Sequence, residues 1–273
     1  MVRRRAADLA AGAAILLVVA AALLPVLWLV SLAFKPTEDI AAYPPRFLFA
    51  PTLDHFAALL RSDFLRSFGN SLVTSTAATV VAMLLGTPAA YALARTERRA
   101  ARRIGFLILL SRMVPPIAFA VPFFLAYRWS GLLDTLAGLT LVYLTFSLSL
   151  VVWMLRPFFA AVPPSLEEAA SVDGAGPWHA FLRIILPLAL PGVAATAILC
   201  FLYAWNDFFF ALVLTRTEAR TAPVAVVGFL NYEGWEWGKI AAGGTLVMAP
   251  VLLFSVAVRR FLVHGLTAGA VKG

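Results

Sequence analysis

The sequence predicts an all-α integral membrane protein of six spans in a single domain, with a polar cytoplasmic loop between the fourth and fifth spans. Two observations carry this. Of 273 residues, 62% are hydrophobic and only 13% charged, and mean hydropathy is +0.90, far from the roughly 45–50% apolar and 25% charged of a soluble domain. Six stretches, near 11–34, 70–94, 104–127, 136–158, 187–214 and 240–263, are long enough to cross about 30 Å of hydrocarbon at about 1.5 Å per residue. Little chain remains for a soluble catalytic module.

Arg3, Arg4 and Arg5 precede the first apolar run. That run exceeds the roughly 7–15 residues of a cleavable signal, so it reads as an uncleaved span that starts in the cytoplasm. An even number of spans puts both termini on that side. The inner segments then hold thirteen Arg and Lys residues and the outer ones eight. Arg95, Arg98, Arg99, Arg102 and Arg103 share one very short inner loop, where the positive-inside rule is strongest. The net charge of +8 and pI near 10.2 therefore read as topology and contact with anionic lipid. Nucleic-acid binding is not indicated, because few aromatics accompany the Arg clusters. Cys200 is the only cysteine and lies in an apolar run, so it supports neither a disulfide framework nor a metal site.

Between the first and second spans, Tyr43-Pro44-Pro45 precedes a surface helix near residues 53–60. Phe47, Phe49, Phe56 and Phe64 would float this segment at the interface. Asn70-Ser71 opens the second span. In the third, Arg112-Met113-Val114-Pro115-Pro116 puts a cation and two helix-kinking prolines into an apolar run. Arg112 is either a functional group or a snorkelling one. In the fifth span, Asn206 and Asp207 should face protein or a water-filled route; Asp207 either lines that route or hydrogen-bonds a neighbouring helix. Arg112 and Asp207 differ by some 15 Å in depth at about 1.5 Å per residue, so no direct pair is expected. After the fifth span, Trp235 and Trp237 have the bulk of interface anchors and equally of ordinary belt residues. Gly238-Lys239 is no phosphate loop, since Glu233 and Ile240 occupy positions that such a loop reserves for Gly and for Ser or Thr.

The polar island at 163–187 cannot lie in lipid. Ser165 followed by Glu168 is a capping-box spacing, Gly174 tolerates the left-handed conformation that stops a helix, and Pro177 suits the first turn of another. Trp178, Phe181, Leu182 and Ile185 recur at helical spacing as one apolar face. Two short helices joined by a tight turn follow.

Three motifs carry a family resemblance. Glu168-Ala169-Ala170-Ser171-Val172-Asp173-Gly174-Ala175, followed by Ile185-Leu186-Pro187, resembles the EAA loop of ABC importer permeases. Trp205-Asn206-Asp207-Phe208 is similar to the Trp-Asn-acid-Phe signature of sugar importer permeases. The tail from Gly265 to Gly273 resembles the terminal motif of the MalG-type half of carbohydrate importers. Departures are small: Glu167 precedes Glu168, and Ala-Gly-Pro follows Asp173-Gly174.

The resemblance implies a permease of the bacterial inner membrane that works with a second permease subunit, an ATPase subunit dimer and an extracytoplasmic solute-binding protein. Glu168, Ala169, Ala170, Asp173 and Gly174 would couple to the ATPase, the alanines allowing close approach and Glu168 accepting from a partner Arg or Lys. Gly265, Leu266, Thr267, Gly269 and Lys272 would reach the ATPase dimer. Asn206, Asp207 and Arg112 would border the translocation path, and Trp235 and Trp237 would dock the binding protein. The substrate implied is a di- or oligosaccharide such as trehalose or maltose, with glycerol 3-phosphate or another small polar solute as the alternative. No cofactor is expected on this chain; ATP and Mg²⁺ would be used by the partner ATPase. No catalytic residue or metal ligand set is expected, since His55, His179 and His264 fall in separate loops. An ion-coupled secondary transporter would need several charges at mid-bilayer and an internal repeat. Arg112 and Asp207 alone do not supply that.

Overall fold

The computed structural model of the chain describes residues 2–96, 98–231 and 234–270. In chain order its helices are α1 (Val2–Ala33), α2 (Thr37–Ile40), α3 (Asp54–Leu60), α4 (Phe64–Arg95), α5 (Arg99–Met113), α6 (Pro116–Ser130), α7 (Leu136–Ala161), α8 (Ser165–Val172) and α9 (Pro177–Ala180). A π-helical stretch, Phe181–Ile185, leads into α10 (Leu186–Leu188), α11 (Leu190–Trp205), α12 (Phe209–Leu214), α13 (Ala222–Val227) and α14 (Trp237–Ala270). Two-residue strands β1 (Leu230–Asn231) and β2 (Gly234–Trp235) pair antiparallel, with Leu230 opposite Trp235.

Four of the expected spans are single helices: residues Ala11–Ala33, Phe64–Arg95, Leu136–Ala161 and Trp237–Val256. The second opens at Phe64, six residues before Asn70. The third and fifth are not continuous, so the described residues give six spans only if each bent helix pair counts as one. In the third, α5 and α6 meet at 93°. Pro115 and Pro116 remove two successive N–H donors, and Val114, ahead of them, takes extended geometry with ψ 125°, as a residue before proline must. In the fifth, residues Pro177–Leu188 and Leu190–Trp205 meet at 78°, with Pro187 and Pro191 on either side of the bend. The helix breaks again at Asn206, where local side-chain bonds compete with the backbone ladder. Asn206 Nδ2 donates to the Leu202 carbonyl at 2.8 Å, and the Asp207 carboxylate accepts from the Ala211 N–H at 3.1 Å.

The chain packs as two units. Met1–Arg66 with Ala225–Ala249 forms the first. From Ala11 onward its α1 is apolar on every side and largely exposed, the composition of a helix that faces lipid or another chain. Ala33, Ala241 and Ala242 pack with Leu29 and Phe56. Lys35 is buried, its Nζ donating to the Arg46 carbonyl at 2.6 Å and lying 5.0 Å from the centre of the Trp28 ring. Phe64 is 2% exposed, so of the four phenylalanines expected at the interface this one is core. Gly238 is a packing glycine: a Cβ there would lie 2.1 Å from the His55 ring.

Ser67–Val224 with Pro250–Gly273 forms the second unit. Its interior is built on α7, which packs against α4, α6, α11 and α12. α4 and α7 approach so closely that a Cβ at Gly86 would sit 2.6 Å from Val151 Cγ1. Only a residue without a side chain allows that crossing.

Candidate functional site

Between α7 and α11, α8 and α9 form the expected pair of short helices, positioned by their own turn chemistry. The capping box does not form. Pro164 is the N-cap, no side chain caps it, and its carbonyl takes the N–H groups of Glu167 and Glu168 at 2.9 and 3.1 Å. Pro163-Pro164 starts the helix early enough to place Ser165 inside it. The far end behaves as the sequence indicates. Gly174 has φ +83°, its N–H reaches Ser171 O at 3.1 Å and the Ala175 N–H reaches Ala170 O at 2.8 Å, the double bond of a Schellman motif. Pro177 then occupies the first turn of α9.

The loop has an inward and an outward side. Ala170, Phe181 and Ile185 are buried, whereas Glu168, Ala169, Asp173 and Gly174 are exposed. Of the expected apolar face, Trp178 and Leu182 turn outward at 61% and 42% exposure, because the buried side is rotated onto Ala180, Phe181 and Ile185. The paired alanines divide in the same way, Ala170 on the chain's own core and Ala169 on the free side.

Glu167, and not Glu168, ties the loop to the spans. Its Oε1 accepts from Arg95 Nε at 2.5 Å and its Oε2 from the Tyr91 hydroxyl at 3.0 Å, joining α8 to the end of α4. The Tyr91 ring packs 4.7 Å from Phe181 and 5.8 Å from Phe159. One residue thus contacts α4, α7, α8 and the π-helical stretch. Nothing in local spacing reveals this pair, since 72 residues separate its members; the doubled glutamate was the only hint.

Asp207 accepts from the Tyr143 hydroxyl of α7 at 3.0 Å as well as capping α12. Asn206 is exposed beside it. Arg112, in the last turn of α5, lies 5.7 Å from the centre of the Tyr203 ring, and its Nη1 is buried without a hydrogen-bond partner. Arg112 and Asp207 form no ion pair among the described residues, although Tyr203, beside Arg112, is only one helical turn from Asp207. Trp235 and Trp237 are 59% and 45% exposed, with ring centres 4.6 Å apart. Gly265, Leu266, Thr267 and Gly269 belong to the last turns of α14, while Lys272 lies outside the described residues. No group of three His, Cys, Asp or Glu side chains is placed to hold a metal among the described residues.

Asp134, at the turn before α7, is a second residue that pattern reading missed. Its carboxylate accepts four consecutive N–H groups, from Arg216 (2.8 Å), Thr217 (3.1 Å), Glu218 (3.1 Å) and Ala219 (3.0 Å). Burial pushes its pKa up, but the four donors outweigh burial and bring it down to about 2. The same segment is held from α4, where Asn70 Nδ2 donates to the carbonyls of Glu218 and Arg220 at 2.8 and 3.0 Å. Asp134 has φ 55°, a left-handed conformation that Asp tolerates better than most residues.

Residues 82–267 match the family model described as "Binding-protein-dependent transport system inner membrane component". The chain is 44% identical over 263 residues, 94% of this chain and 95% of the other, to the trehalose transport system permease protein SugB of Mycobacterium tuberculosis. It is 31% identical over 92% of each chain to the trehalose/maltose transport system permease protein MalG of Thermococcus litoralis. In fold it is similar to a chain of a bacterial ABC transporter involved in the import of the acidic polysaccharide alginate, with TM-score 0.78, 24% identity and coverage of 94% of this chain and 96% of that one.

Proposed function

The chain belongs to the family of binding-protein-dependent transport system inner membrane components, multi-pass permeases of ABC importers, and from that premise we propose that it carries a di- or oligosaccharide such as trehalose or maltose as one of two permease subunits. It is a transport component and not an enzyme. The observation behind the substrate class is the 44% identity, across nearly the whole chain, to a permease named for trehalose.

In this reading the free side of α8, with Glu168, Ala169, Asp173 and the Gly174 turn, seats in a cleft of a cytoplasmic ATPase subunit, where Glu168 takes a charge-assisted hydrogen bond. Ala170 sets that helix against its own chain. The tail residues Gly265, Leu266, Thr267, Gly269 and Lys272 reach the ATPase dimer, and ATP with Mg²⁺ is consumed there. A solute-binding protein docks at Trp235 and Trp237 on the outer side, and the sugar passes Asn206, Asp207 and Arg112. The exposure of Glu168, Ala169 and Asp173 and of both tryptophans supports these roles.

Reconstitution with the partner permease, ATPase and binding protein tests this, with labelled trehalose and maltose as substrates. Uptake should require ATP and all four components. Uptake by the lone chain in ATP-free vesicles would overturn the reading in favour of a secondary transporter.

A further inference from the structure

We propose that the face of α5 carrying Arg99, Arg102 and Arg103 is a binding site for an anionic phospholipid. Positions 99, 102, 103, 106 and 107 follow the i, i+3, i+4, i+7, i+8 spacing of one helix face, and those five residues line a single cavity of about 540 Å³. The three guanidinium groups occupy the start of the helix and Phe106 and Leu107 the next turn. A phosphodiester headgroup followed by an acyl chain has the same order.

Among the described residues no acidic side chain pairs with this face; Glu97, two positions before Arg99, lies outside them. The sequence holds no Asp or Glu from Arg98 to Leu133, and among the described residues none of the three arginines forms an ion pair or side-chain hydrogen bond. Arg99 and Arg103 stand four apart, a spacing at which like charges repel, and cations in the first turn also oppose the helix dipole. An anion relieves both costs, and planar guanidinium forks match phosphate oxygens two at a time.

The apolar end selects among anions. Phe106 and Leu107 are 62% and 59% exposed, and no residue of α5 is buried, so free phosphate or a soluble polyanion would leave this part of the cavity uncovered. A lipid chain covers it.

The test is native mass spectrometry of the full chain in mild detergent, titrated with phosphatidylglycerol, with phosphatidylcholine of the same chains, and with inorganic phosphate. Wild type should prefer the anionic lipid by about tenfold or more. The triple variant Arg99→Gln, Arg102→Gln, Arg103→Gln should bind the two lipids alike, while Arg128→Gln keeps the preference and phosphate displaces nothing. If the triple variant is not recovered folded, Arg102→Gln alone should lower the preference by about threefold. Equal binding of both lipids by wild type, an undiminished preference in the Gln variants, or displacement by phosphate would each overturn the proposal.

Discussion

Adjacent glutamates in α8 have opposite surroundings, and their substitutions should separate accordingly. Glu167→Gln leaves Arg95 part-buried without its counter-ion, which costs about 1–3 kcal/mol, and frees α8 from the end of α4. We expect ATP hydrolysis to continue while less sugar moves per ATP. The swap of Arg95→Glu with Glu167→Arg should restore part of that ratio, whereas a defect that survives the swap would rule out the ion pair as its cause. Glu168→Lys touches nothing in this chain and should instead reduce co-purification of the ATPase subunit. Asp134 gives a different signature. Its folded pKa of about 2 lies below the ordinary carboxylate value of 3.8, so its stabilisation is full above about pH 4 and is lost as pH falls through about 2. Asp134→Asn keeps one acceptor oxygen and should lower the apparent melting temperature in detergent at pH 7 by several degrees, with the gap from wild type closing towards pH 2. A constant gap across that range would remove the charge from the explanation.

Among the elements, composition alone located every apolar stretch, because a run of about 20 apolar residues leaves few alternatives to a span. Where those stretches bend was only half legible. Pro115-Pro116 announced a kink, yet 93° exceeds what a proline in a straight span suggests. The interruption at Asn206 arises from short side-chain bonds that no periodicity reports. The loop between α7 and α11 was legible at Gly174, whose φ of +83° leaves glycine as the comfortable choice. It was illegible at Ser165, where the neighbouring prolines supplied the helix start. Gly174→Val should cost about 1–2 kcal/mol at that turn and weaken ATPase binding more than it lowers the melting temperature. Equal loss of both would mean the turn serves the fold alone.

For the whole molecule, the sidedness inferred from Arg counts is the premise most open to direct measurement. Cys200 is the sole cysteine, so a Cys200→Ala background allows single thiols to be placed at will. Asp173→Cys should react with a membrane-impermeant reagent only after permeabilisation, and Trp237→Cys before it; the reverse order would invert the topology and end the proposed ATPase contact.

The elbow between α5 and α6 has one more effect. Neither Pro115 nor Pro116 offers a proton to the carbonyls of Ser111 and Arg112, and hydrocarbon offers none either. Those oxygens therefore need a donor from elsewhere, and water reaching the elbow is the simplest one. Amides near residue 112 should accordingly exchange deuterium well ahead of those in the middle of α7.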